Sequence, residues 1–198
     1  IGGDLSRSEK IVISITAIGE CKKPILRSGA KVGDSIFITN LAGWSAAGLI
    51  ALQRGVSSET SQNSKDAISE GIKFAIREHC APSVDYDNAE QIAINANSLC
   101  DISDSLLIQA EQLAIASGVE FDIDGDLIKS HPEFAELSQV AELLDVSVFD
   151  LILSGGEDHV FLATGRALKG FEIGKVRAGS GIRLTHLATP QPGWQHFS

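Results

Sequence analysis

Hydrophobic residues recur along the chain with two different periods, and these periods predict a mixture of strands and helices. Residues 10–19 alternate with period two and place Ile11, Ile13 and Ile15 on one face, which is typical of a strand. Apolar runs predict further short strands at residues 35–39, 119–124, 159–164, 173–176 and 182–184. Helical spacing predicts helices at residues 43–54, 65–78, 88–97 and 133–149, the last with a break near Asp145.

The order of these elements indicates the fold class. Strands and helices are mixed without repeated βαβ units, which favours an α+β fold, a mixed β-sheet with helices packed on it, over a doubly wound sheet. A further helix follows Asp101, and we expect Ser103 to cap it and Gly118 to close it. Its inner side carries Leu106, Leu107, Ala110, Leu113 and Ala114.

The charge of the chain limits the partners that it can have. The 198 residues suit one domain, or one domain and part of another, and their net charge is −10 at pH 7. Such a surface repels nucleic acid and anionic membranes, so we expect neither as a partner. It would also repel a phosphorylated ligand. A phosphate site would therefore need a divalent metal ion, a few well-placed arginines or backbone N–H groups.

The cysteines and the ends of the chain indicate its compartment and its extent. Cys21, Cys80 and Cys100 form no CxxC pair, which favours reduced thiols and a cytoplasmic location. The longest apolar-rich stretch, residues 42–52, is too short to cross a bilayer, and nothing resembles a signal peptide. The chain opens on IGGD without an initiator methionine, so we expect it to be a fragment that lacks an N-terminal region.

The segment DISD, Asp101–Asp104, places two carboxylates between apolar flanks, where ionised groups are costly unless they are paired or bound to a metal. One interpretation is structural: Ser103 caps the following helix, and Asp104 lies in its first turn, where the helix dipole favours an acid. The other is functional: both carboxylates bind Mg²⁺ beside a helix N-terminus that accepts a phosphate. The first interpretation leaves Asp101 unexplained, and both stay open.

Three other motifs also admit two interpretations. The opening GGD can be a plain turn, or its glycines can approach phosphate oxygens while Asp4 holds a metal ion. SGGED, residues 154–158, can be a tight turn or can place Glu157 at the edge of a sheet beside a ligand. The terminal GWQHF can clamp the core through Phe197, or Trp194 can stack on a flat ring.

Taken in order, the motifs GGD, RSGAKVGD, DISD, SGGED, IGKV and the terminal GWQHF resemble the thiamine-monophosphate kinase family. The resemblance covers essentially the whole chain but only the C-terminal part of such an enzyme. It implies that residues 27–198 form an α+β domain like the C-terminal domain of aminoimidazole ribonucleotide synthetase, a member of the same superfamily. Residues 1–26 would then end the N-terminal ATP-binding domain and include a remnant strand of it.

The resemblance also implies an activity, which is transfer of the γ-phosphoryl group of ATP to thiamine monophosphate with several Mg²⁺ ions. By position in the motifs, Gly3, Asp4, Arg27 and Ser103 would bind ATP. Asp4, Asp101 and Asp104 would bind Mg²⁺, with Asp101 and Asp104 as the catalytic pair. Glu157 and Trp194 would bind thiamine monophosphate. A homodimer would form through the N-terminal domain.

Four positions depart from the pattern that such enzymes share. Leu5 replaces a threonine, Ser105 a glycine, and His159 and Val160 an aromatic residue and an acid. These departures leave two alternatives open: another ATP-using enzyme of the same superfamily, or a catalytically inactive ligand-binding module.

Overall fold

The structure, a computed structural model, describes residues 9–21, 23–56 and 66–189. The strands within these residues are β1 (Ser35–Ile38), β2 (Ser98–Asp101), β3 (Glu120–Asp124), β4 (Phe161–Gly165), β5 (Phe171–Arg177) and β6 (Gly181–Thr185). The helices are α1 (Trp44–Gln53), α2 (Asp66–Cys80), α3 (Tyr86–Ala93), α4 (Leu106–Ser117), α5 (Gly125–Lys129), α6 (Phe134–Leu143) and α7 (Val148–Ser154). No helix in the described ranges combines the length and the apolar character that crossing a membrane requires.

The strands form one mixed sheet in the order β2-β4-β1-β5-β3-β6. Neighbouring strands are antiparallel except for β3 and β6, which run parallel. Strands that follow each other in the chain do not lie next to each other in the sheet; helices connect β1 to β2, β2 to β3 and β3 to β4. The predicted α+β fold with a mixed sheet is therefore confirmed.

The sheet is buried on both faces near β1, because successive side chains of a strand point to opposite faces. Ile36 and Ile38 pack in the large core with helix residues such as Leu106 and Leu137. Phe37 points the other way and packs with Ile92 of α3 in a smaller cluster. Side chains on both faces of β1 are thus buried at the centre of the sheet, and β4 pairs with β1 and with β2.

The predicted strand at residues 10–19 is wrong. The structure gives these residues no strand, and Ile11, Ile13 and Ile15 are 94%, 79% and 87% exposed. The alternation is real, but a strand also needs a hydrogen-bonded neighbour and a surface on which to bury its apolar face. Within the described ranges, the strands of the sheet pair with one another and none pairs with this segment. The expectation that these residues form a remnant strand of an N-terminal domain is therefore also wrong.

The helix after Asp101 begins later than predicted. Ser105, not Ser103, caps α4: it is extended, and its Oγ accepts the Ile108 backbone N–H at 3.2 Å. Gly118 closes the helix in the left-handed conformation, as predicted. Since α4 starts at Leu106, Asp104 lies before the cap, and the first turn contains no acid. The structural interpretation of Asp104 as a first-turn helix residue is therefore wrong.

Other elements also differ from the prediction, and the helix expected at residues 133–149 is two helices, α6 and α7, the second of which ends at Ser154. The helix expected at residues 88–97 is α3, which ends at Ala93. The chain then enters β2, which pairs with β4. The short helix α5 was not predicted, because five residues carry too little periodicity to be recognised. Asp124 caps α5 by accepting the Asp126 N–H at 2.9 Å.

Candidate functional site

The DISD segment (Asp101–Asp104) and the glycine loop (residues 154–160) lie side by side. Three backbone hydrogen bonds join them: Ile102 N–H to Val160 O at 2.8 Å, His159 N–H to Ile102 O at 2.9 Å, and Glu157 N–H to Ser103 O at 2.6 Å. A Cβ at position 156 would lie 2.2 Å from Asp104 O, so only glycine fits there. The backbone thus brings together two motifs that are distant in the chain.

A cleft of about 440 Å³, the α1 cleft, opens between these two segments and α1. The α1 wall is largely apolar, and the side chain of Leu49 is 40% exposed there. Ser103, Asp104 and Glu157 line the opposite side. The cleft therefore combines an apolar wall with two carboxylates, an arrangement that suits a flat ligand with a polar or cationic edge.

The buried carboxylate of Asp158 fixes the glycine loop to the start of α1. Its Oδ2 accepts the Gly43 N–H at 2.8 Å and its Oδ1 accepts the Ser45 N–H at 2.9 Å. Burial raises the pKa of Asp158 to about 6, although the two N–H groups favour the ionised form. Gly43 itself has φ +107, and a Cβ there would lie 2.9 Å from the Leu151 carbonyl carbon.

Asp101 lies at the end of β2, outside the α1 cleft. With His159 it lines a neighbouring cleft of about 350 Å³. The His159 ring stands between two carboxylates: its Nδ1 is 3.7 Å from Asp101 Oδ2, and its Nε2 is 3.3 Å from Glu157 Oε2. Glu157 and His159 both have positive φ, 63° and 52°, which is unusual for residues with side chains. The imidazole therefore links the two clefts.

The guanidinium of Arg27 stands beside the thiol of Cys100, the residue before Asp101, so Arg27 lies near Asp101. Burial raises the pKa of this thiol to about 12, and the Arg27 cation opposes the shift. Ser117, at the end of α4, fixes the chain just after Arg27. Its Oγ accepts the N–H groups of Gly29 and Ala30, each at 3.1 Å. A cation is thus available at the Asp101 side of the site.

Comparison with known proteins finds relatives of this chain. No protein-family model matches the chain. The thiamine-monophosphate kinase of Aquifex aeolicus is 34% identical over 203 residues, covering 100% of this chain and 62% of that protein. The thiamine-monophosphate kinase of Corynebacterium glutamicum is 34% identical over 208 residues, covering 100% of this chain and 60% of that protein.

This chain is a homologue of the thiamine-monophosphate kinases. It corresponds to their C-terminal part and spans 60–62% of the length of these two relatives. Solved structures agree: AaThiL complexed with AMPPCP and TMP matches with a TM-score of 0.72 at 30% identity, covering 87% of this chain and 54% of that one. The hydrogenase maturation protein HypE of Escherichia coli, at 14% identity and a TM-score of 0.56, shares the fold.

Within this thiamine-monophosphate kinase homologue, the structure brings together part of the predicted site. Ser103, Asp104 and Glu157 line one cleft, and Asp101 and Arg27 lie beside the adjoining one. Gly3, Asp4 and Trp194 lie outside the described residues. Sequence reasoning missed His79 and Ser45, which also line the α1 cleft. A lone histidine at the end of a helix and a serine after a tryptophan give no local signal of function.

Asp101 and Asp104 offer carboxylate oxygens, the ligand type that Mg²⁺ prefers. Asp101 fits such a role, since 45% of its side chain is exposed and His159 is its neighbour at 3.7 Å. Among the described residues, the group whose possible ligand atoms all lie within 4.8 Å of one another is Asp124, Asp126 and His186, on α5 and after β6.

Proposed function

We propose that the protein containing this chain transfers the γ-phosphoryl group of ATP directly to thiamine monophosphate, giving thiamine diphosphate. The observation that carries the proposal is the meeting of the DISD segment and the glycine loop at one cleft, in a homologue of kinases that bear this name. The match to a structure that contains AMPPCP, an ATP analogue, and TMP supports the same pair of substrates.

We assign the two motifs to the two substrates. Ser103, together with Gly3, Asp4 and Arg27, binds ATP, and Glu157 binds thiamine monophosphate with Trp194. Glu157 N–H and Ser103 O are joined at 2.6 Å, so the two binding regions share a backbone contact. Phosphoryl transfer depends mainly on positioning the two substrates and on neutralising charge, and no covalent intermediate on the protein is needed.

Charge neutralisation at this site requires cations, because the chain carries a net charge of −10 and the substrates are anionic. We assign Mg²⁺ binding to Asp101 and Asp104, with Asp4 as a further ligand. These carboxylates would hold Mg²⁺, which would supply positive charge beside the phosphate groups. Arg27, a cation at every physiological pH, contributes a second neutralising group at the Asp101 side.

The organisation of the whole protein belongs to the same proposal. Residues 27–198 form the C-terminal domain, residues 1–26 belong to the end of the N-terminal ATP-binding domain, and the protein is a homodimer through that domain. A cytoplasmic location and the absence of nucleic-acid and membrane partners follow from the cysteine pattern and from the negative charge.

The complete protein tests this function with ATP, Mg²⁺ and thiamine monophosphate, by chromatography of ADP and thiamine diphosphate. We expect both products in equal amounts, and loss of activity in Glu157→Gln. Activity only with aminoimidazole precursors or selenide would replace the proposal with another enzyme of the superfamily. Binding of both ligands without turnover would identify an inactive binding module, for which the substitutions at Ser105 and His159 would then be responsible.

A further inference from the structure

The α1 cleft contains a hydrogen-bonded pair that the proposed roles do not use. Ser45, 1% exposed, lies in the first turn of α1, and its Oγ is 3.1 Å from Nδ1 of His79 in the last turn of α2. Both residues line the cleft. Within the part of the chain that the structure describes, His79 Nε2 has no hydrogen-bond partner. One polar edge of the imidazole is therefore available to a ligand.

The fold holds this pair rigidly. The Ser45 N–H donates to Asp158, which fixes the serine to the residue after Glu157. Helices α1 and α2 approach so closely at Gly48 that a Cβ there would lie 2.1 Å from Ala75 O and 2.9 Å from the His79 Cβ. Glu157 and the His79–Ser45 pair are thus positioned by the same short stretch of structure. A rigid polar pair of this kind is suited to recognise a ligand rather than to adapt to several.

The chemistry of the pair fits the edge of a nitrogen heterocycle. If the Ser45 hydroxyl donates to Nδ1, then Nε2 carries the proton and can donate; if Nδ1 donates to Ser45, then Nε2 can accept. A ring nitrogen needs a donor and an exocyclic amino group needs an acceptor. The adjoining wall of Ala46, Leu49 and Ile50 is apolar and can cover the face of a flat ring.

We propose that His79, supported by Ser45, is a specificity-determining residue that hydrogen-bonds the polar edge of the aminopyrimidine of thiamine monophosphate while the α1 wall covers the ring face. The assignment rests on the proposed function and extends it to two residues for which the motifs give no role. His79 and Ser45 would contact neither a metal ion nor ATP. The assignment therefore predicts an effect confined to one substrate and to one part of that substrate.

The test uses steady-state kinetics of the complete enzyme with thiamine monophosphate and with an analogue in which hydrogen replaces the exocyclic amino group. In His79→Ala we expect the KM for thiamine monophosphate to rise about tenfold, the loss of one hydrogen bond to a ligand, while the KM for ATP stays constant. If Nε2 accepts from the exocyclic amino group, the variant should also lose most of the wild-type preference for thiamine monophosphate over the analogue; if Nε2 donates to a ring nitrogen, KM rises for both compounds alike. Ser45→Ala should change both quantities in the same direction by a smaller factor, and His79→Gln should recover part of the loss.

His186→Ala is the matched control, since it removes an exposed imidazole next to Asp124, away from the cleft. Thermal unfolding of each variant checks that the fold persists. Should His79→Ala and Ser45→Ala both keep the wild-type KM and the wild-type preference, the assignment is wrong while the kinase function stands. A wild-type enzyme without activity on thiamine monophosphate would overturn the proposed function and this assignment together.

Discussion

The Asp158 carboxylate accepts the backbone N–H of Ser45 at 2.9 Å, across 113 positions of the chain. Helix α1 has no side-chain cap of its own, since Gly43 stands at its N-cap position. Asp158 therefore supplies from the glycine loop the acceptors that a local serine or aspartate would otherwise give. The contact joins helix stability to the shape of the α1 cleft, because the same loop carries Glu157.

The first prediction concerns the stability of this contact. Asp158→Asn leaves one acceptor for two N–H donors and places an amide N–H group against one of them. We expect the free energy of unfolding to fall by about 1–3 kcal/mol at pH 7, the cost of an unsatisfied buried group. Urea denaturation measures the loss. Asp145→Asn is the control, as Asp145 is exposed and its φ of 47° suits asparagine; an equal loss there would contradict the capping role.

A second prediction follows from the protonation of the same residue. Burial raises the pKa of Asp158 to about 6 from the ordinary 3.8, so the folded state binds more protons than the unfolded state between these values. The contribution of Asp158 to stability is therefore largest below pH 4, falls as the pH rises through 6, and is constant above 7. The difference in unfolding free energy between the wild type and Asp158→Asn should shrink by roughly 2 kcal/mol from pH 4 to pH 7. A difference that stays constant would show that the carboxyl titrates normally.

The third prediction is that His131 makes stability depend on pH in the opposite direction. Burial lowers the pKa of His131 to about 4, its Nδ1 accepts the Glu133 N–H at 3.2 Å, and its Nε2 is buried without a partner among the described residues. The folded state therefore binds fewer protons than the unfolded state between pH 4 and 6.5. Stability from neutral His131 is complete above pH 6.5 and lost as the pH falls through 4.

The variant His131→Asn keeps an acceptor near the position of Nδ1 and removes the titration. We expect the difference in unfolding free energy, wild type minus His131→Asn, to grow by about 3 kcal/mol from pH 4 to pH 7. In the wild type, the contributions of Asp158 and His131 to the pH dependence of the unfolding free energy have opposite signs. Together they should therefore change it little between pH 4 and pH 7. A wild-type curve that matches His131→Asn at every pH would rule out a buried neutral imidazole.

How far the sequence predicts this structure depends on the range of each interaction. Gly118 closes α4 as predicted because a helix C-terminus is a local event. The strand at residues 10–19 failed because pairing is not local, and alternation alone does not supply a neighbour. The site divides in the same way: DISD and SGGED are recognisable segment by segment, whereas the Asp158–Ser45 contact and the Ser45–His79 pair join residues 113 and 34 positions apart. Such contacts leave no periodicity to detect.

Gly156 gives the fourth prediction, because it is the point where the glycine loop touches the DISD segment. In Gly156→Ala the new Cβ would lie 2.2 Å from Asp104 O and 2.7 Å from Ser103 O, so the two loops must separate. We expect a loss of about 1–3 kcal/mol in the free energy of unfolding, as overpacking usually costs. Gly19→Ala, with no atom within 4 Å, should change it by less than about 0.5 kcal/mol. Equal stability of the two variants would contradict the close contact.

The last prediction concerns the metal. Asp101 is half-exposed at the end of β2, so Asp101→Asn should leave the fold intact while it removes a charge that Mg²⁺ would use. Calorimetry of the complete protein with the ATP analogue AMPPCP, with Mg²⁺ and then with EDTA, measures the metal-dependent part of nucleotide affinity. We expect Asp101→Asn to weaken binding roughly tenfold in Mg²⁺ and to have little effect in EDTA. Asp126→Asn makes the same change of charge at the Asp124–Asp126–His186 group and should leave nucleotide binding unchanged. If the wild type binds AMPPCP equally well with Mg²⁺ and with EDTA, the assignment of Asp101 and Asp104 to Mg²⁺ fails, and Asp101 acts on the site only through its contact with His159.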